Sequence, residues 1–282
     1  MRVGIGLPST IAGVNGHTII EWARRAEERP FTSLAVIDRY VYDSYEPFVA
    51  LAAAAAVTTR LRLATTIVAG PLRNAALLAK SAASVDALSA GRLVLGLEVG
   101  AREDDYRVAN VDYHRRGKIL NDQLATLRSL WESGAIGPRL VRPRGPEILI
   151  GGLSDQAFSR AARYADGYVH GGGPPRAFAR AADRARAAWR DAGRPGLPQI
   201  WGQGYFALGE EAAAKGAAYL KDYYAFTGPF AEQIAAGLLT TTQGVVQYLR
   251  GYQDAGCTEL VLFPGVAEPD QLDRLAEAVA AL

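Results

Sequence analysis

Cysteine occurs once in this 282-residue chain, at Cys257. A single thiol excludes an internal disulfide and any metal site built from several cysteines. Cys257 precedes the apolar run Glu259–Phe263, which makes it a buried packing residue. Histidine is almost as scarce: His17, His114 and His170 lie far apart with no H-E-x-x-H spacing, so no metal centre is expected. The net charge of +2 is too small to point to nucleic acid or a membrane surface as a partner. No apolar run is long enough to span a bilayer, and the chain enters the strand-like Val3–Leu7 with no basic-then-apolar leader. The expected location is therefore the cytoplasm. There is no P-loop and no G-x-S-x-G elbow, so phosphate-loop chemistry and a Ser–His–Asp hydrolase lack support. Lysine is confined to Lys80, Lys118, Lys215 and Lys221, so the positive charge is nearly all arginine. That bias suits bidentate anion binding, and it also follows from genome composition.

What is present is ordinary for a globular protein: 49% hydrophobic and 21% charged residues, in a length that accommodates one large α/β domain with a full core, residues 1–282. Short apolar runs alternate with helical patterns. The expected strands are Val3–Leu7, Ser33–Ile37, Leu61–Val68, Arg92–Leu97, Glu147–Gly151, Gly167–His170, Gln199–Ala207 and Glu259–Phe263. The expected helices are Thr18–Glu28, Pro47–Thr58, Asn74–Leu88, Arg115–Glu132, Asp155–Tyr164, Pro174–Asp191, Glu210–Tyr223 with Gln243–Ala255, and Glu268–Leu282. In the last, Leu272, Leu275, Ala276 and Val279 form an inner stripe. Proline opens the Pro47 and Pro174 helices, where its missing N–H costs nothing. Strand–helix alternation of this length predicts a single-domain (β/α)8 TIM barrel. A doubly wound open sheet ranks second, because Pro8-Ser9-Thr10 follows the first strand where its G-x-G-x-x-G fingerprint would stand. Gly100–His114 and Tyr224–Thr242 are longer than ordinary loops and are expected as insertions at the C-terminal face, covering the active end or making surface or dimer contacts.

Barrel enzymes place their chemistry at the C-terminal ends of strands. A barrel aldolase or isomerase would want a lysine there, and none of the four sits at one. Reading those ends gives Asp38, Arg39 and Tyr40 after the second strand, Thr65 to Gly70 at the third, Glu98 at the fourth, Gly151 to Ser154 after the fifth, and His170 with Gly171-Gly172-Gly173 after the sixth. The Gly151-Gly152-Leu153-Ser154 turn opens a helix; it is either a phosphate cradle of close-approach glycines and helix N–H groups, or simply an N-cap. His170 is either a proton-transfer group or a satisfied structural imidazole. Glu98 interrupts an apolar, glycine-rich strand; it is either an acid or base of raised pKa, or half of a structural ion pair with Arg102 or Arg39.

The stretch GRLVLGLEVGAREDDYRVAN (Gly91–Asn110) closely resembles the fourth strand and following loop of the luciferase-like monooxygenase superfamily, the bacterial-luciferase-type FMN and F420-dependent oxidoreductases. VGIGLP (Val3–Pro8), LAVIDRY (Leu34–Tyr40), the rest of Leu61–Asn110, RGKILNDQLATLRSLW (Arg116–Trp131), EILIGGLSDQAFSRAARYADGYV (Glu147–Val169) and TTTQGVVQYLRGYQDAGCTELVLF (Thr240–Phe263) carry the same resemblance, in the family's order. It implies an F420 or FMN ring at the barrel mouth. It also implies a non-proline cis peptide in a bulge of the third strand, at Thr65-Thr66 or Thr66-Ile67, and a cofactor phosphate at Gly151, Gly152, Leu153 and Ser154, with Asp38 and Gly171 beside the cofactor. Three departures stand out. Arg39-Tyr40 replaces the usual histidine after the second strand, Val99 replaces the luciferase-type phosphate-binding arginine, and Glu98 replaces a small residue. The first two tilt the expectation towards F420. The implied activity is hydride transfer or monooxygenation on a small organic substrate, with Glu98, Tyr40 or His170 handling the proton and Arg39 orienting an oxygen. A reductase supplying reduced cofactor and a second copy of the chain are the expected partners. A non-catalytic homologue of the same fold is the alternative.

Overall fold

Every expected strand forms, and every one pairs with its sequence neighbour. The computed structural model describes all 282 residues. Strands β1 (Arg2–Gly6), β2 (Ser33–Val36), β3 (Arg62–Ala69), β4 (Leu93–Glu98), β5 (Glu147–Gly151), β6 (Gly167–Val169), β7 (Gln199–Phe206) and β8 (Glu259–Pro264) are all parallel. Pairing of β1 with β8 closes the ring, in the register Arg2 to Glu259 and Ile5 to Leu262. The result is a (β/α)8 TIM barrel, and the open sheet is excluded.

The outer helices are α1 (Gly16–Glu27), α2 (Pro47–Ala55), α3 (Ala75–Leu88), α4 (Glu103–Val108), α5 (Arg116–Glu132), α6 (Asp155–Tyr164), α7 (Pro175–Asp191), α8 (Glu210–Tyr223), α9 (Phe230–Ala236), α10 (Thr242–Asp254) and α11 (Asp270–Ala280). Local chemistry sets their starts: Asn15 Oδ1, Asn74 Oδ1 and Ser154 Oγ each accept a first-turn N–H. The two long insertions are not bare loops. Gly100–His114 contains α4, and Tyr224–Thr242 contains a 3₁₀ turn (Ala225–Thr227) and α9. Pro174 stands one residue before its helix, as the cap rather than the first turn. No helix is long and apolar enough to cross a membrane.

Strand alternation divides the core in two. On β4, Leu93, Leu95 and Leu97 face the helices, joining Leu120, Leu124 and Leu127 of α5. Val94 faces inward, with Ala64, Leu149, Val169, Trp201 and Val261 filling the barrel. Each fully buried large apolar side chain contributes about 1.5–3 kcal/mol. The barrel floor is sealed by charge: the buried Glu259 carboxylate takes Arg2, Arg62 and the Thr32 hydroxyl, and Arg62 also pairs with Glu147 and covers the Trp201 ring.

Candidate functional site

The site begins with an irregularity in β3. The register between β3 and β4 shifts between Thr65 and Val68, where the chain bulges. The Thr65 hydroxyl bridges the gap, donating to the Gly96 carbonyl and accepting from the Gly96 N–H, both at 2.8 Å. Thr65 is thereby a structural member of the ladder. The peptide between Thr66 and Ile67 is cis, the second of the two positions left open by the sequence. Thr66 and Ile67 line the barrel mouth, and the pairing recovers with Ala69 opposite Glu98.

Glycine makes room for this bulge. A Cβ on Gly96 would meet the Thr65 carbonyl, and one on Gly151 would meet Ile67 Cδ1 and lie 2.9 Å from Glu98 Oε2. Val94, Gly96 and Glu98 are the inward positions of β4, so Glu98 occupies the top layer of the barrel. Its carboxyl accepts no hydrogen bond, and burial pushes its pKa up against weaker opposition from Arg102 and Arg160. A carboxyl held this way favours its neutral, proton-donating form.

Glu98 borders two cavities. One, of about 180 Å³, is the barrel mouth, lined by Ile37, Asp38, Thr66, Ile67, Ala69, Gly171, Gln203 and the side chains of Arg102, Tyr223, Tyr224 and Phe226. Thr66 Oγ1 and Gln203 Oε1 are buried there with no hydrogen-bond partner. The other, of about 860 Å³, is a groove running from Glu98 across Gly151–Ser154 to α5 and α6. Arg116, Arg160, Arg163 and His114 line it, and Arg116 Nε is buried unpartnered. Gly152 adopts φ +113°, a conformation only glycine enters readily. Ser154 Oγ caps α6, and Leu153 is exposed. The cradle and cap readings of this turn are compatible: the cap uses the Ser154 side chain, while a groove lined by Arg116, Arg160 and Arg163, with Glu98 and an Arg184-paired Asp155, remains beside it.

The other residues singled out from the sequence lie elsewhere. Asp38 borders the mouth, but its carboxylate is taken by Arg73 (2.6 and 3.0 Å) and the Ala69 N–H (3.0 Å). Arg39 donates to the Tyr223 carbonyl and pairs with Asp104, and so props α8 rather than presenting itself to a ligand. Tyr40 points outward, its ring under Arg73 and its hydroxyl on the Leu72 carbonyl. His170 follows inward-facing Val169 and therefore faces out, against Phe178 of α7, with Nδ1 accepting from the Gly172 N–H at 3.2 Å. Burial pushes its pKa down to about 4. Of Glu98, Tyr40, His170 and Arg39, only Glu98 borders the mouth. Sequence reasoning missed Gln203 and Tyr223, named Arg102 only as a possible ion-pair partner of Glu98, and expected Tyr224–Thr242 over the active end without assigning Tyr224 or Phe226 to the site. Strand parity on β7, with Trp201 inward, was a readable signal for Gln203 alone. No group of three or more His, Cys, Asp or Glu side chains converges as a metal site.

The model of the family described as luciferase-like monooxygenase matches residues 1–281. An uncharacterized protein of Mycobacterium tuberculosis is 35% identical over 161 residues, 53% of this chain and 56% of the relative, so the match spans about half the relative's length. Among solved structures, the monooxygenase RslO1 from Streptomyces bottropensis superposes with a TM-score of 0.81 at 19% identity, covering 100% of this chain and 99% of that one. An F420-dependent secondary alcohol dehydrogenase, solved with an F420–acetone adduct, does so with a TM-score of 0.81 at 16% identity, covering 99% and 98%.

Proposed function

The chain belongs to the luciferase-like monooxygenase family, and from that premise we propose that it is an oxidoreductase holding an F420 or FMN ring in the barrel mouth and acting there on a small organic substrate. The bound ring supplies the electrons. Everything else falls to the protein. Gly151, with no side chain, lets Ile67 and Glu98 pack directly against it at the edge of the mouth. Thr66 Oγ1 and Gln203 Oε1 are free to bond the ring's polar edge. The backbone amides at Gly152–Ser154, with Arg116, Arg160 and Arg163, hold an anionic tail in the groove. Tyr223, Tyr224 and Phe226 exclude water, and Glu98 gives its proton to the substrate oxygen or takes it back.

The reading is carried by one observation: an unpaired carboxyl stands where the barrel mouth meets an arginine-lined groove. Several arginines in a large groove suit a tail with more than one negative group, which favours F420 over FMN. Separate titrations of the purified protein with F420 and FMN test this; tight FMN binding without F420 binding would reverse the order. Glu98→Gln is expected to slow oxidation of reduced cofactor by a panel of small carbonyl compounds about 100-fold or more. The wild-type rate should fall as pH rises through the raised pKa of Glu98, and this limb should vanish in the variant. Near-normal turnover of Glu98→Gln removes it from the mechanism. Because Arg39, Tyr40 and His170 are engaged elsewhere, a second reading survives: a homologue that binds the ring without turnover. Cofactor binding with no turnover on the whole panel would favour it.

A further inference from the structure

Of the arginines, only Arg102 lines the mouth; Arg39 and Arg73, outside its lining, are already matched. Arg39 pairs with Asp104 and Arg73 with Asp38. Arg102 has no ion pair, and its Nε is buried without a hydrogen-bond partner. Its guanidinium carbon lies 4.4 Å from the Phe226 ring centroid, 4.7 Å from Tyr223 and 5.8 Å from Tyr224. Cation–π contact of this kind offsets part of the desolvation of a charge and leaves its five N–H donors largely unspent. The nearest carboxylates do not fill the vacancy. Asp105 takes the Tyr40 and Val41 N–H groups on Oδ1 and reaches Arg102 only through space, with no hydrogen bond or ion pair between them. Glu98, whose acid form burial favours, acts on Arg102 only through space. A nearly buried, unmatched cation beside a cavity is costly unless something arrives to meet it.

We propose that Arg102 is the substrate's anion anchor. The mouth then selects a flat, apolar organic carboxylate, whose body lies along Tyr223, Tyr224 and Phe226 while its carboxylate takes the guanidinium in a two-point contact. This rests on the oxidoreductase reading of the same mouth, and it adds the substrate class. The guanidinium fork and the aromatic wall belong to one surface, so charge and flatness are recognised together. Arg102 lines the mouth and not the arginine-lined groove, so it is not needed for the tail.

Calorimetric titration with 2-naphthoate and its neutral counterpart 2-naphthamide tests the assignment, using the full chain alone and saturated with whichever cofactor it binds. The wild type should bind naphthoate on the order of 10- to 100-fold more tightly than naphthamide. Arg102→Gln should erase that preference while leaving F420 and FMN affinity within about twofold of wild type. Arg102→Lys, which keeps the charge and loses the fork, should retain a part of it. Equal affinity of the wild type for the two probes, or an undiminished preference in Arg102→Gln, overturns the proposal. Loss of cofactor binding in Arg102→Gln with naphthoate unaffected overturns it too, by assigning Arg102 to the cofactor. If the wild type binds neither cofactor, the oxidoreductase reading fails separately, because the naphthoate titration of the cofactor-free chain still reports on Arg102.

Discussion

Removing the Asp38 carboxylate should destabilise the whole barrel, although the residue sits at the edge of the proposed active site. Asp38 accepts both Arg73 amino groups and the Ala69 N–H, with its side chain 1% exposed and that of Arg73 8% exposed. Breaking such a pair from one side leaves a buried charge and typically costs 3–5 kcal/mol. Arg73 keeps a 3.0 Å contact to Glu46 and stacks on Tyr40 and Phe48, so Asp38→Ala belongs at the low end, about 3 kcal/mol. For 282 residues the unfolding entropy is about 0.6 kcal/mol/K near the midpoint, so the expected fall in Tm is about 5 °C. Calorimetry on Asp38→Ala, Arg73→Met and the double variant completes a cycle. The two losses should be strongly non-additive, with a coupling of about 1.5 kcal/mol or more. A Tm within about 1 °C of wild type for Asp38→Ala, or additive losses, would refute the argument that this pair holds the β2 and β3 ends together.

Two further outcomes follow from the same geometry. Gly151→Ala introduces a methyl against Ile67 Cδ1 and Glu98 Oε2, and is expected to cost about 1–3 kcal/mol and weaken cofactor binding; unchanged titration curves would show that the bulge yields freely. His170 should make the protein acid-labile. Its folded pKa of about 4 lies below the ordinary 6.5, so the unfolded chain takes up the proton first. Stability attributable to this group is intact above about pH 7, declines as pH falls below 6.5, and has dropped by about 3 kcal/mol at pH 4. His170→Asn keeps an acceptor for the Gly172 N–H and should flatten that part of the urea-midpoint profile; an unaltered acid slope would contradict the assignment.

The barrel was legible because its signals are local. Eight apolar runs separated by amphipathic helices leave few topologies, and the glycine turn after β5 is a feature of adjacent residues. The site was only partly legible, because its partners are remote in sequence. Asp38 meets Arg73, 35 positions on, and Arg39 reaches the Tyr223 carbonyl across 184 positions. No periodicity announces such pairs. Parity was available and decisive for His170: with Val169 turned inward, the next side chain must turn outward. Arg102 was legible only as a candidate partner for Glu98; that it faces α8 and the following turn appears only on folding.

The ionic seal of Arg2, Arg62, Glu147 and Glu259 makes the barrel a vessel closed at its base. Whatever the barrel holds therefore comes and goes at the opposite end, above Trp201 and the packed layer around it.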